Sequence, residues 1–201
     1  MPLTPRDRMI RSAATLMREH GVEAMSFSDV VAHSGAPRGS IYHYFPGGKA
    51  QLVAEATRWA GGFVLTRNSA AMEADGPLGA VEASLQAWRA VLTETEFRAG
   101  CPIAAATVDG EQIPAGREAA GEVFRDWQQA LAASLRSRGV ADERAQSVAT
   151  LVYAGIEGGI LLARAQRSIE VWETVVAELR RLVAAALADA GDESAGASSS
   201  T

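Results

Sequence analysis

Apolar residues recur along this chain at spacings of three and four, and no sustained alternation of the kind a strand requires competes with them. In the first segment Ile10, Ala13, Ala14 and Met17 fall at i, i+3, i+4 and i+7, which places them on one stripe of a helix. Thr4-Pro5-Arg6-Asp7 starts that helix: a hydroxyl cap, a proline at the first helical position and an acid three residues after the cap. It runs to Gly21. Ser26 and Asp29 form a second capping box, and the helix they open continues through Val30, Val31 and Ser34 to Gly35, which can take the left-handed conformation that ends a helix. Ala36-Pro37 restarts the chain, so a third helix is predicted from about Pro37 to Phe45. Ile41 and Phe45, four apart, share its packed face, while Arg38, Gly39, Tyr42 and His43 point elsewhere.

After the Pro46-Gly47-Gly48 break, a long helix is predicted from Lys49 through Trp59 and Phe63 to about Met72. Further helices are predicted at about 78 to 95, 101 to 109, 115 to 138, 142 to 166 and 168 to 189. They are divided by Gly76-Pro77, Gly100-Cys101-Pro102, Gly110, Pro114-Ala115-Gly116 and Gly139, and the last is capped by Ser168. The final GDESAGASSST is small and polar and is expected to be a disordered tail over 191–201. The expected fold is all-α, with three short helices in a compact N-terminal bundle followed by a larger helical region.

Composition alters this picture in one respect. A hydrophobic content of 48% with 21% charged residues is ordinary for a globular protein, and 201 residues suffice for a sizeable core. The net charge of −5 argues against nucleic acid until the chain is split. Residues 1–50 hold six Lys/Arg against four Asp/Glu, net +2, whereas 51–201 hold 13 against 20, net −7. A positive N-terminal module ahead of an acidic remainder fits a head that meets phosphate. The bias of 18 arginines to one lysine reflects codon usage. A polar start and the lack of an 18-residue uncharged apolar run lead us to expect a cytoplasmic protein with no membrane partner.

Catalytic and cofactor constellations are sparse. The single cysteine, Cys101, rules out an intrachain disulfide, and the three histidines all lie in the first 43 residues. No phosphate loop, metal-ligand cluster or paired-carboxylate spacing stands out, so no enzyme activity, metal or cofactor is expected. Cys101 reads as a small apolar residue or as an oxidation-sensing thiol. His20 and His33 read as solvated surface residues. Gly155, Gly158 and Gly159 interrupt a strong helix, which implies either close helix approach at a dimer seam or ligand access. Glu157 between them can bond a ligand, pair with an arginine or face water.

The stretch DVVAHSGAPRGSIYHYF followed shortly by a lysine resembles the signature of the TetR family of bacterial transcriptional regulators, and PGGK with the later GCPIAAATVD resembles a drug- and flavonoid-responsive subgroup of it. The resemblance implies a helix-turn-helix at about 27–46 in a DNA-binding domain of 4–64, then a ligand-binding and dimerisation domain of 65–190. It implies that Arg38 and Gly39 meet base edges, that Ser40, Tyr42, His43 and Tyr44 lie at phosphates, and that Lys49 meets phosphate at the start of the fourth helix; an arginine at position 38 suits guanine O6 and N7. With Ser26 at the cap, these are the candidate DNA contacts. The implied partners are a double-stranded operator, a second copy of the chain joined through the helices at 142–166 and 168–189, and a small hydrophobic effector. Phe63, Trp88, Cys101, Phe124, Trp127, Tyr153 and Glu157 are the candidates for contacting that effector. Within 168–189 the apolar stripe is expected at Val171, Val175, Leu179, Leu182 and Leu187. The implied function is a repressor that the effector releases by changing the separation of two reading heads. A non-sensing architectural DNA binder is the alternative.

Overall fold

Both capping boxes form. Thr4 and Ser26 each accept a bond from the amide three residues on, and the Asp7 and Asp29 carboxylates reach back to the cap amides. The Ser26 hydroxyl and amide hold the Asp29 carboxyl below the usual carboxylate range, and Thr4 does the same for Asp7. A computed structural model describes residues 3–37, 39–109 and 112–198, excepting the side chains of 192–198. Its described residues form α1 (Pro5–His20), α2 (Phe27–Ser34), α3 (Ser40–Tyr44), α4 (Gly48–Glu94), α5 (Pro102–Val108), α6 (Pro114–Arg136), α7 (Asp142–Gln166) and α8 (Ile169–Ser198), with no strand among them.

Three elements differ from expectation. The third helix starts at Ser40, not Pro37, because Gly39 sits at φ 87°, outside the helical region, and the Pro37 carbonyl instead closes a turn with the Ser40 amide and hydroxyl. The expected gap at 73–77 shrinks to one residue: Gly76, at φ 73° and ψ −166°, breaks the helical path inside α4 and Pro77 resumes it. At the C-terminus α8 continues to Ser198, so helix occupies most of the expected tail; residues 199–201 of that expectation lie outside the described residues.

The chain packs as two units. The first comprises residues up to Phe63 with Arg98–Phe124; the second comprises Val64–Phe97 with residues from Arg125 on. Residues 98–124 therefore pack with the N-terminal helices, although they fall in the sequence range expected for the second domain. In the first unit the α1 stripe of Ile10, Ala13, Ala14 and Met17 is buried together with Val30, Ile41 and Phe45.

In the second unit α7 and α8 pack along their lengths. Trp172, Val176, Leu179, Val183, Ala186 and Ala190 form the buried stripe of α8. This set is turned by about one residue from the expected stripe, of which only Leu179 is buried; Val171, Val175, Leu182 and Leu187 are half-buried flanks. The cause lies on α7. A Cβ at Gly159 would stand 3.1 Å from the Trp172 ring, and one at Gly155 would stand 2.7 Å from Leu179. Both glycines are thus consumed by close approach of α8 within one chain, and Trp172 takes the space over Gly159. Gly158 has nothing within 4 Å of its Cβ position.

Candidate DNA interface

The segment expected to meet DNA is built by a short helix anchored on one side. Ile41 and Phe45 are 2% and 1% exposed and fix α3 to the head. The Arg6 guanidinium stacks 5.5 Å over the Phe45 ring and pairs with Glu55, which holds the end of α3 against the start of α4. On the other side Tyr42 is 69% exposed, its ring edge-on to Phe27 at 5.4 Å, and His43 is exposed beside the half-buried Tyr44, also edge-on at 5.4 Å. Ser40 donates its hydroxyl to the Pro37 carbonyl at 2.7 Å. The Ser26 hydroxyl is engaged in its cap, bonding Asp29 and Ser28. Arg38, the expected base reader, lies outside the described residues.

Gly39 has nothing within 4 Å of its Cβ position, so space does not demand a glycine; its φ of 87° does. Gly39→Ala is expected to cost about 1–2 kcal/mol of left-handed strain. Thermal unfolding of the full chain checks this, and an unchanged melting temperature would contradict it.

Lys49, in the first turn of α4, donates from Nζ to the Glu23 carbonyl at 2.9 Å, which leaves ammonium protons for a phosphate. The Val22–Glu23 turn that Lys49 reaches has a second anchor that sequence reading missed. Asp109, at the end of α5, accepts the amides of Val22 and Glu23 on one oxygen at 2.7 and 3.2 Å. At the other end of that segment the Gly100 amide donates to the Arg18 carbonyl at 2.7 Å. GCPIAAATVD therefore grips the end of α1 at both of its own ends. The motif itself was visible in the sequence, but its partner was not. His33 is exposed, as expected, and also bonds the hydroxyl of buried Ser12 through Nδ1 at 2.9 Å, which pins α2 to α1.

The seven expected effector residues divide between the units. Phe63 in the first is 61% exposed and stacks on Trp59 at 6.2 Å; Cys101 there is buried, and Phe124 is half-buried. In the second, Trp127 and Tyr153 are buried with rings 5.5 Å apart, while Trp88 and Glu157 are half-buried. Tyr153 belongs to a buried polar cluster. Ser84 donates to the Asn68 side-chain oxygen at 3.0 Å, Arg67 reaches the same oxygen at 3.3 Å, and Asn68 bonds Tyr153. Burial pushes the phenol up to about 12 against the lowering effect of that bond. The cavity that Tyr153 lines with Ser84, Val81, Leu131 and Ile156 is only about 10 Å³, room for about one water. A groove of about 650 Å³ in the same unit, lined by Leu78, Glu82 and Arg180 among others, includes none of the seven.

Residues 9–56 match the family model described as bacterial regulatory proteins of the tetR family, and residues 77–178 match the C-terminal domain of LmrA/YxaF-like transcriptional regulators. The chain is 44% identical over 189 residues to an uncharacterized HTH-type transcriptional regulator of Mycobacterium tuberculosis, covering 91% of this chain and 96% of that one. It is 33% identical over 161 residues to the HTH-type transcriptional regulator LmrA of Bacillus subtilis, covering 79% and 85%. Among solved structures, a TetR transcriptional regulator from Legionella pneumophila superposes with a TM-score of 0.78 at 21% identity, covering 90% of this chain and 97% of that one. The Ser26–Asp29 capping box, the left-handed Gly35 and the outward-facing α3 all fall within the 9–56 match, and the chain belongs to the TetR family of DNA-binding transcriptional regulators.

Proposed function

We propose that the protein is a homodimeric repressor that sits on a near-palindromic operator and is released by a small hydrophobic effector. The observation that carries this reading is an uncovered apolar face on α7. Leu151, Leu161 and Leu162 are 49%, 65% and 47% exposed, and with Ala154, Gly158 and Ala165 they occupy about 100° of the helix, adjoining the side on which Gly155 and Gly159 pack against α8. α7 is long and apolar enough to cross a membrane, yet only 44% of that stretch is buried inside the chain. A second copy, with α7 and α8 forming the seam, covers such a face. Reading successive major grooves of a palindrome requires two α3 helices roughly 34–36 Å apart, one from each copy.

Residues 4–64 are the DNA-reading part in this scheme and 65–190 the part that dimerises and receives the effector. Trp127 and Tyr153, already in one buried cluster, are its foremost effector residues. Effector binding there must open space that the 10 Å³ cavity lacks, and that rearrangement is the differential interaction that shifts the dimer to a state with a different head separation. A thiol-sensing role is less well supported, since Cys101 is only 5% exposed.

The test is a footprint of the DNA upstream of the chain's own gene, with and without candidate effectors. Protection of a palindrome that fades with one effector class is the expected result. No preference over random duplex at physiological salt would end the proposal. In the same assay Arg38→Ala is expected to cost about 1–3 kcal/mol and relax preference at one base position, whereas Lys49→Ala weakens binding to every sequence.

A further inference from the structure

The sequence GCPIAAATVD lies outside α2 and α3, yet both its ends are tied to the head, and the tie at Asp109 leads to Lys49. Asp109 fixes the amides of Val22 and Glu23, and the Glu23 carbonyl in turn receives the Lys49 ammonium at 2.9 Å. The backbone of Glu23 is thus held at its N–H by a carboxylate 86 positions away and loaded at its C=O by the lysine. Gly21, at φ 85°, lets the chain leave α1 in the direction that presents these amides, and its Cβ position lies 3.5 Å from the same Asp109 oxygen. Val22 is fully buried, so the turn has one packed anchor and one polar one. Lys49 itself is half-buried, but its ammonium bond to Glu23 lies on the exposed side, where a long flexible amine ordinarily samples many rotamers.

We propose that Asp109 is a positioning residue for phosphate binding: by clamping the Val22–Glu23 turn it holds the Glu23 carbonyl where that oxygen orients Lys49 toward the DNA backbone. This rests on the reading of Lys49 as a phosphate contact. The carboxylate touches no DNA; its effect is to reduce the rotamer freedom that Lys49 must give up on binding. Because Asp109 closes α5, the phosphate contact also becomes sensitive to any displacement of that helix.

The experiment uses the full-length chain and a duplex of random sequence, with affinity measured from about 50 to 200 mM salt. Lys49→Ala is expected to lower the salt slope by about 1. Asp109→Ala is expected to weaken binding several-fold and to lose most of the same slope, and the double variant should bind no more weakly than Lys49→Ala alone. Asp109→Asn keeps an acceptor oxygen and should hold the slope. An unchanged slope in Lys49→Ala removes the phosphate reading itself; a reduced slope there with an unchanged slope in Asp109→Ala, or additive losses in the double variant, overturns only the role of Asp109.

Lys49 is the sole lysine of the chain, so reductive methylation with ¹³C-formaldehyde gives one side-chain signal to follow by NMR. That signal should move to the position of a free, mobile lysine in Asp109→Ala and stay in place in Asp109→Asn. Asp109→Leu, which fills space without an acceptor, serves if the alanine variant does not fold. Loss of folded helix in both would overturn the proposal, because Asp109 would then support the head as a whole.

Discussion

Replacing Leu161 and Leu162 together by aspartate is expected to yield a folded monomer that binds operator at least about 100-fold more weakly than the parent dimer. The side chains are 65% and 47% exposed in the chain, and neither belongs to its buried core, so their replacement takes little from it. In a two-fold pair each substitution counts twice: four leucines, each with about half of the 1.5–3 kcal/mol of full burial still to gain, amount to roughly 3–7 kcal/mol of lost burial, before four like charges are brought together. Without the seam each head binds a single half-site, and the gain from joining two heads disappears. Sedimentation velocity reads the oligomeric state, circular dichroism the helix content, and titration onto the footprinted duplex the affinity. A variant that remains dimeric would show that this face of α7 is not the seam. A variant that is monomeric but binds as tightly as the parent would detach dimerisation from operator recognition.

That face was only partly legible in the sequence. Helix caps were readable because a capping box is local: two residues three apart satisfy each other's orphan groups, as Thr4 with Asp7 and Ser26 with Asp29 do. The Gly35 turn and the inward pair Ile41 and Phe45 were readable for the same reason. Gly39 was not, since a glycine is compatible with both helix and left-handed turn, and nothing beside it announces a φ of 87°. On α8 the apolar residues cover more than one face, so periodicity alone could not tell the side that meets α7 from the side left half-open. The stripe from Val171 and the stripe from Trp172 differ by a single residue, about 100° of rotation, and the glycines on α7 decided between them.

The site shows the same division. Tyr42 and His43 fall on the exposed side of α3 because Ile41 and Phe45 are spaced to be buried, a local inference. The Asp109 bond to Val22 spans 87 positions and joins a side chain to a loop amide, a pairing with no periodic trace. Asn68 and Ser84 were passed over because small polar residues in a helix look solvated; both are buried, and what reconciles them with the core is each other, together with Tyr153 and Arg67.

Trp172 bears the second large expectation. It is fully buried on α8, its ring lying over Gly159, so Trp172→Ala removes the largest side chain of the seam between α7 and α8 and is expected to cost about 3–5 kcal/mol. The space cannot refill cheaply, because the facing residue on α7 is a glycine with no side chain to move into it. Trp172→Phe should cost much less: most of the ring volume stays, and the indole Nε1 has no hydrogen-bond partner among the described residues, so its loss breaks no bond and removes a buried donor left unsatisfied. Denaturant unfolding of the full chain at fixed protein concentration separates the two, since coupling to a dimer makes apparent stability concentration-dependent. Because the outward leucines lie on the same α7, a loosened seam also predicts weaker association for Trp172→Ala, seen as a larger dimer dissociation constant in sedimentation velocity. Equal costs for alanine and phenylalanine would mean that the indole N–H is satisfied after all. A Trp172→Ala chain as stable as the parent would mean that the fit of Trp172 over Gly159 does not hold α7 against α8.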